Sequence, residues 1–119
     1  MGVETSIEEI LKDLVEKFNK KVDEDKDLYE RIKDLNRRIK LKIQPEGIFY
    51  GELKDGKITE LKKVSEDVEA DISVETSRDV FLQLISQQLS PFIAYVNGLV
   101  RIKAPLKDLL LLKNLFGSF

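Results

Sequence analysis

The side chains that could do chemistry in this chain are few, because its 119 residues include no cysteine and no histidine. Disulfides, metal sites built on Cys or His, cysteine nucleophiles and Ser-His-Asp triads are therefore excluded. Ser86 and Ser90 lack an activating base, and the acidic run from Glu66 to Asp71 does not have EF-hand spacing. The sequence predicts no catalytic residue, no metal site, no cofactor and no free-standing enzyme.

Charge and hydropathy narrow the partners and the location. A net charge of −2, with no basic run of five residues, argues against a nucleic-acid binder. The longest apolar runs fall short of the roughly 18–20 residues that span a bilayer, so we expect no integral membrane segment. Transient contact with a membrane surface is compatible with this sequence. The first residues lack the pattern of a signal peptide, which favours a cytoplasmic protein. Many Lys and Glu residues with no Cys or Trp are typical of a thermophilic source.

Apolar spacing predicts helices at the beginning of the chain, within residues 1–36. Ser6 and Glu9 form a capping box at the start of the first helix. The apolar stripe that follows has i, i+3, i+4 spacing and comprises Ile7, Ile10, Leu11, Leu14, Val15, Phe18 and Val22. A second, shorter helix is predicted from about residue 24 to about residue 36. Both have one apolar and one charged side, as helices that cover a sheet do.

From Arg37 onward the apolar period changes from 3.6 to 2, which predicts four strands within residues 37–76. Asp55-Gly56 is a hairpin signal, so the third strand is predicted over 57–64 and the fourth over 68–76. Crossover helices are predicted over 77–97, a fifth strand over 98–104 and a C-terminal helix over 105–119. This order predicts a single α+β domain over residues 1–119.

The charges of the strands predict which strands are neighbours. Every alternating strand keeps one polar face, so helices should cover one side of the sheet only. The polar faces of the first and fifth strands are basic, whereas that of the fourth is acidic. The basic residues are Arg38, Lys40 and Lys42 on the first strand and Arg101 and Lys103 on the fifth, and the acidic residues are Asp71 and Glu75 on the fourth. Because opposite charges stabilise cross-strand pairs, we expect the neighbours 1-4-5. The short basic pairs Arg37-Arg38 and Lys62-Lys63 should be solvated.

The second half of the chain resembles the sterol carrier protein type 2 family, the sterol-binding domain. Residues 70–81 are similar to the family's alternating strand and following helix start, and residues 90–103 to its proline, short helix, glycine and basic strand. Leu109–Leu115 stands where the family has its C-terminal helix, although Ala104-Pro105 replaces a common glycine. The resemblance implies a five-stranded, mixed, mostly antiparallel sheet of order 3-2-1-4-5 with helices on one face. It also implies an apolar tunnel between sheet and helices.

The resemblance implies that the protein carries a lipid-like ligand in that tunnel: a fatty acid, fatty acyl-CoA, isoprenoid or sterol. The C-terminal helix is apolar over more than half its circumference, which favours a second contact beyond ordinary covering. The candidate ligand-binding residues are Phe49, Phe81, Leu84, Ile85, Leu89, Phe92, Leu109, Leu112, Leu115 and Phe116. Tyr50 and Gln88 are candidates to meet a polar head group.

Other interpretations fit the same apolar residues. The C-terminal helix could simply be well buried, because an apolar stripe on a helix is usually core. In a second hypothesis the core is filled and the chain is an interaction module, whose C-terminal helix forms a homodimer or contacts an acyl-lipid enzyme. A nucleic-acid binder using Arg38, Lys40 and Lys42 is the weakest hypothesis, because the acidic strand opposes it.

Overall fold

The computed structural model describes residues 6–109, which form four helices, six strands and the start of a further helix at 106–109. The helices are α1 (Ile7–Glu24), α2 (Lys26–Ile32), α3 (Arg78–Ile85) and α4 (Pro91–Val96). The strands are β1 (Arg37–Gln44), β2 (Gly47–Lys54), β3 (Lys57–Ile58), β4 (Lys62–Val64), β5 (Ile72–Ser77) and β6 (Val100–Lys103). The α+β class is confirmed.

The sheet has the order β3-β2-β1-β5-β6, with β4 also paired to β2. β1 and β5 are parallel, and the other pairs are antiparallel. The predicted order and the predicted neighbours 1-4-5 are confirmed. In register, Glu75 of β5 stands between Lys42 of β1 and Arg101 of β6. The acidic strand therefore lies between the two basic ones, as the charge pattern predicts.

The third predicted strand is divided, which gives six strands instead of five. Residues 59–61 leave the ladder between β3 and β4. The Thr59 hydroxyl accepts a hydrogen bond from the Glu52 backbone N–H at 2.9 Å, and so takes a donor of β2 away from regular pairing. Leu61 packs onto Gly51, where a Cβ atom would come within 2.7 Å of it. The break is thus a local bulge that places Leu61 against the core.

The fourth predicted strand, expected from residue 68, begins at Ile72. The reason is topological: β4 pairs with β2 while β5 pairs with the far side of β1. Residues 65–71, here called the crossover segment, must therefore pass β2 and β1 before the chain can enter the sheet. Two residues of this segment form ion pairs with β1: Asp67 with Lys40, and Asp71 with Arg38. The apolar-polar alternation of this segment is therefore not that of a strand.

The second helix is also shorter than predicted: Asp25 separates it from α1 at its start, and it ends at Ile32 instead of about residue 36. The Asp25 carboxylate accepts the Leu28 backbone N–H at 3.1 Å and caps α2, so the helix begins at Lys26. The cap predicted at Ser6 is confirmed, since its hydroxyl accepts the Glu9 N–H, and Ser77 caps α3 by accepting the Val80 N–H. These caps set the directions from which α1 and α3 approach the sheet.

The core lies between α1 and the sheet in two clusters. Ile7 and Leu11 of α1 pack with Ile43, Phe49 and Phe81. The second cluster, toward the other end of α1, comprises Val22, Leu28, Ile32 and Leu53. The sheet side that faces these clusters is called the helix-facing side below, and the opposite side the polar side. Within residues 6–109, no helix is both long and apolar enough to cross a membrane.

Candidate lipid-binding site

The helix-facing side of the sheet carries an apolar row that crosses four strands. In register, Phe49 of β2 stands opposite Leu41 of β1, Leu41 beside Val74 of β5, and Val74 opposite Ile102 of β6. These residues share one face because side chains in a strand alternate between its two sides. The row therefore forms a continuous apolar floor beneath the helices.

The cover over this floor is uneven. Phe49 is 1% exposed and packs with Ile7 and Leu11 of α1. Leu41, Val74 and Ile102 are only half-buried. Leu41 also packs against the cluster of Ile7 and Leu11, so within residues 6–109 the cover decreases from α1 toward Val74 of β5 and Ile102 of β6. This half-covered surface, formed by Leu41, Val74 and Ile102, is the candidate lipid-binding floor.

The predicted ligand-binding residues of the crossover helices divide into three environments. Phe81 of α3 is buried in the same cluster as Phe49, so these two predicted residues lie together in the core. Leu84 and Leu89 are half-buried. Ile85 and Phe92 are exposed, at 38% and 61%. The half-buried pair therefore matches the residues of the candidate lipid-binding floor in its degree of exposure.

The last predicted residues belong to the C-terminal segment. Leu109 is half-buried, whereas Leu112, Leu115 and Phe116 lie outside the described residues. Just before Leu109, the carboxylate of Asp108 is 2% exposed and binds the Arg37 guanidinium through two bonds, of 2.6 and 3.2 Å. This ion pair fixes the start of the C-terminal helix beside the first residue of β1.

Sequence reasoning missed this ion pair, because Arg37 was expected to be solvated together with Arg38. The Arg37 side chain is instead 24% exposed, and its hydrogen bond to Asp108 raises the pKa of the guanidinium above its ordinary value. A signal was present in the pattern: Arg37 occupies a helix-facing position of β1, two residues before Ile39. An arginine at such a position needs a carboxylate, because an unpaired charge is costly to bury.

The two residues predicted to meet a polar head group, Tyr50 and Gln88, do not lie at the candidate lipid-binding floor. Tyr50 follows Phe49 in β2 and so points to the polar side, where it stands opposite Lys40 and Lys62. Strand alternation therefore removes it from the layer between helices and sheet. Gln88 is exposed in the turn after α3.

The polar side of the sheet is held together by ion pairs. The crossover segment and strands β1, β5 and β6 border a groove of about 710 Å³ on this side. Lys40 lies 2.7 Å from Asp67, and Arg38 binds Asp71 through both its side chain and its backbone. Hydrogen bonds from these cations lower the pKa of both carboxyls.

Within residues 6–109, no group of three or more acidic residues could hold a metal ion.

Comparison with known protein families decides the classification. The model of the SCP-2 sterol transfer family matches residues 15–117 of the chain. The chain belongs to this family. Membership in the SCP-2 family supports lipid or sterol binding and transfer as the general activity. A search of the curated proteins finds no match to the sequence.

Solved structures share the SCP-2 fold at low sequence identity. Sterol carrier protein domain 2 of Helicoverpa armigera is 17% identical with a TM-score of 0.64, over 98% of this chain and 94% of that one. A conserved hypothetical protein of Thermus thermophilus, described as possibly a sterol carrier protein, is 20% identical with a TM-score of 0.63, over 92% and 79%. The sec-alkylsulfatase Pisa1 of a Pseudomonas species is 18% identical with a TM-score of 0.55, over 75% of this chain but 14% of the enzyme.

Proposed function

We propose that the protein carries a lipid-like molecule with a long apolar body: a fatty acyl chain, an isoprenoid or a sterol. The ligand lies on the candidate lipid-binding floor, between β5 and β6 below and Leu84 of α3 and Leu89 of the turn before α4 above. The observation that carries this proposal is the incomplete cover of Leu41, Val74 and Ile102 in a member of the SCP-2 family. The role is that of a carrier and not of an enzyme.

The free energy of apolar burial is sufficient for such a ligand. Each buried methylene contributes about 0.8 kcal/mol, so an acyl chain of ten buried methylenes gains roughly 8 kcal/mol before the cost of association. The floor carries no charge, so binding does not require an ionised side chain to lose its water. The expected affinity therefore follows the length of the apolar chain more than the chemistry of its head group.

The C-terminal segment is proposed to close the site. The ion pair between Arg37 and Asp108 holds the start of this segment on the helix-facing side of the sheet. In the sequence that follows, Leu109, Leu112, Leu115 and Phe116 recur at spacings that put them on one face of a helix. We propose that this face covers the ligand and leaves it again when the ligand is released.

Two substitutions of the same residue type test the proposal. Ile102→Phe adds volume on the helix-facing side of β6, whereas Ile48→Phe adds the same volume on the polar side of β2. Both isoleucines are half-buried, so the cost to stability should be similar. We expect I102F to bind a fluorescent fatty acid at least about fivefold more weakly than the native protein, a loss of roughly 1 kcal/mol, and I48F to bind it unchanged. Equal binding by both folded variants would place the ligand elsewhere.

A second candidate function is that of an interaction module. The similarity to a part of the much longer alkylsulfatase favours it, because a similar fold forms part of that enzyme's chain. In this case the C-terminal face forms a homodimer or binds an acyl-lipid enzyme. The native protein would then bind no fatty acid, and its sedimentation coefficient would depend on protein concentration. Replacing Leu111 or Leu115 with a charged residue would abolish that dependence.

A further inference from the structure

The crossover segment pairs two of the three cations on the polar side of β1. The Arg38 guanidinium lies 3.2 Å from the Asp71 carboxylate, and the Lys40 ammonium lies 2.7 Å from the Asp67 carboxylate. Acidic and apolar residues alternate here, because residues 67–71 have the sequence Asp-Val-Glu-Ala-Asp. The chain itself thus shows that an irregular segment with alternating carboxylates can neutralise a basic strand.

The cations on the polar side of β6 have no such partner. Arg101 and Lys103 are exposed, and neither forms an ion pair with any of residues 6–109. In register, Lys103 stands opposite the uncharged Ser73, and Arg101 stands opposite Glu75. The Glu75 carboxylate accepts a hydrogen bond at 3.0 Å from the side-chain amide of Gln44, which belongs to β1 on the far side of β5. Both cations of β6 can therefore pair with a carboxylate from outside residues 6–109.

β6 is also an edge strand. Within residues 6–109 it pairs with β5 alone, so the backbone N–H and C=O groups along its outer edge have no strand to bond. On the helix-facing side this edge presents Ile102, which is half-buried. A strand added here would meet cations on one side and an apolar residue on the other. At the opposite edge, β4 has a single cation on the polar side, Lys62, because the next residue on that side is Val64.

We propose that β6 receives an extended acidic segment of another protein, which adds a strand to the sheet and places carboxylates beside Arg101 and Lys103. In strand addition, main-chain hydrogen bonds give affinity and side chains at alternate positions give specificity. The polar faces of β1, β5 and β6 are basic, acidic and basic in turn, so an acidic strand continues the pattern. Lipid binding is not required, because these cations lie on the opposite side of the sheet from the candidate lipid-binding floor.

Charge disfavours two other occupants of this edge. A second copy that paired through its own β6 would place Arg101 and Lys103 beside the same two cations, and like charges on neighbouring strands are destabilising. Residues 110–119 of the chain contain no Asp or Glu, so they cannot supply side-chain carboxylates. An acidic segment of another protein meets both requirements of the edge.

Two labelled peptides of equal composition test strand addition. One alternates glutamate and valine, and the other has all its glutamates before its valines. By fluorescence anisotropy at low salt, we expect the alternating peptide to bind the native protein at least about fivefold more tightly, because only its carboxylates share one side of a strand. Equal binding of both peptides would show unspecific charge attraction and overturn the proposal. No binding of either would overturn it too, since the cations would then only keep the edge unpaired.

Charge reversal shows whether β6 is the strand that binds. We expect the double variant Arg101→Glu, Lys103→Glu to bind the glutamate peptide at least about tenfold more weakly than the native protein does. The same variant should gain binding of an alternating lysine and valine peptide, which a merely unfolded variant would not. The control is the double variant Lys12→Glu, Lys20→Glu on the exposed side of α1, which changes the net charge equally and should bind both peptides as the native protein does. Native affinity of the β6 variant for the glutamate peptide would contradict the proposal.

Backbone amide resonances locate the bound peptide. Shifts centred on β6 support the proposal, whereas shifts centred on β4 would place the peptide at the opposite edge and overturn it. Sedimentation tests the second copy: a coefficient that rises with protein concentration in the native protein, but not in the β6 variant, would make another copy the occupant and overturn the assignment.

Discussion

Arg37 is a charged residue at a position of β1 where the alternation of the strand calls for an apolar one. Its guanidinium meets the carboxylate of Asp108, 71 positions later in the chain and nearly inaccessible to solvent. No local pattern predicts such a partner, because the two residues meet only after the sheet and the C-terminal helix have formed. The caps at Ser6 and Ser77 could be predicted, since each binds a backbone N–H three residues away.

The Arg37–Asp108 ion pair should therefore stabilise the protein measurably. Asp108→Ala removes the counterion of Arg37, whose side chain is 24% exposed, and we expect the free energy of unfolding to fall by roughly 2 kcal/mol in denaturant titrations. The control is Asp13→Ala, which removes an exposed ion pair with Lys17 on α1 and should cost clearly less. Equal losses for the two variants would contradict a structural role for Asp108.

At the scale of elements, regular segments could be predicted and irregular ones could not. The alternation in β1 and the charges of Glu75 and Arg101 were sufficient to predict the neighbours 1-4-5, whereas the rest of the strand order followed from the family resemblance. The break at residues 59–61 and the crossover segment were missed, because a side chain replaces a regular backbone contact in each. Thr59 accepts the Glu52 N–H in the first case, and Asp71 accepts the Arg38 N–H in the second.

The crossover segment should make stability depend on pH through Asp71. Hydrogen bonds from the side chain and backbone of Arg38 lower the pKa of the Asp71 carboxyl in the folded protein. The carboxylate therefore stabilises the fold above about pH 4, where an unfolded Asp is ionised, and this contribution is lost as the pH falls through the lowered pKa. We expect Asp71→Asn to lower the Tm near neutral pH, and the difference from the native protein to shrink on acidification.

Glu69 provides the control for this pH dependence. It is an exposed carboxylate two residues earlier in the same segment, so Glu69→Gln should leave the Tm close to native throughout the titration. A difference between D71N and the native protein that stays constant from neutral to strongly acidic pH would show that the effect of the substitution is not electrostatic.

At the scale of the whole molecule, the sequence predicted the fold better than the site. Periodicity and charge specify which side of each strand meets the helices and predict the neighbours 1-4-5, and the family resemblance supplies the rest of the strand order. They do not distinguish a residue that packs against its own chain from one that packs against a ligand. Phe49 and Phe81 illustrate the difficulty: both were predicted to line a tunnel, and both are buried together with Ile7 and Leu11 of α1.

A lipid that lies against the helix-facing side of β5 and β6 must perturb the methyl groups on that side, and methyl NMR spectroscopy detects this perturbation. Resonances of the Val74 and Ile102 methyl groups are followed while a fatty acid is added to the native protein. The Ile48 methyl group on the polar side serves as the internal reference. We predict that the Val74 and Ile102 signals shift saturably and show contacts to the acyl chain, while Ile48 does not change. Bound fatty acid that leaves Val74 and Ile102 unperturbed would contradict the claim.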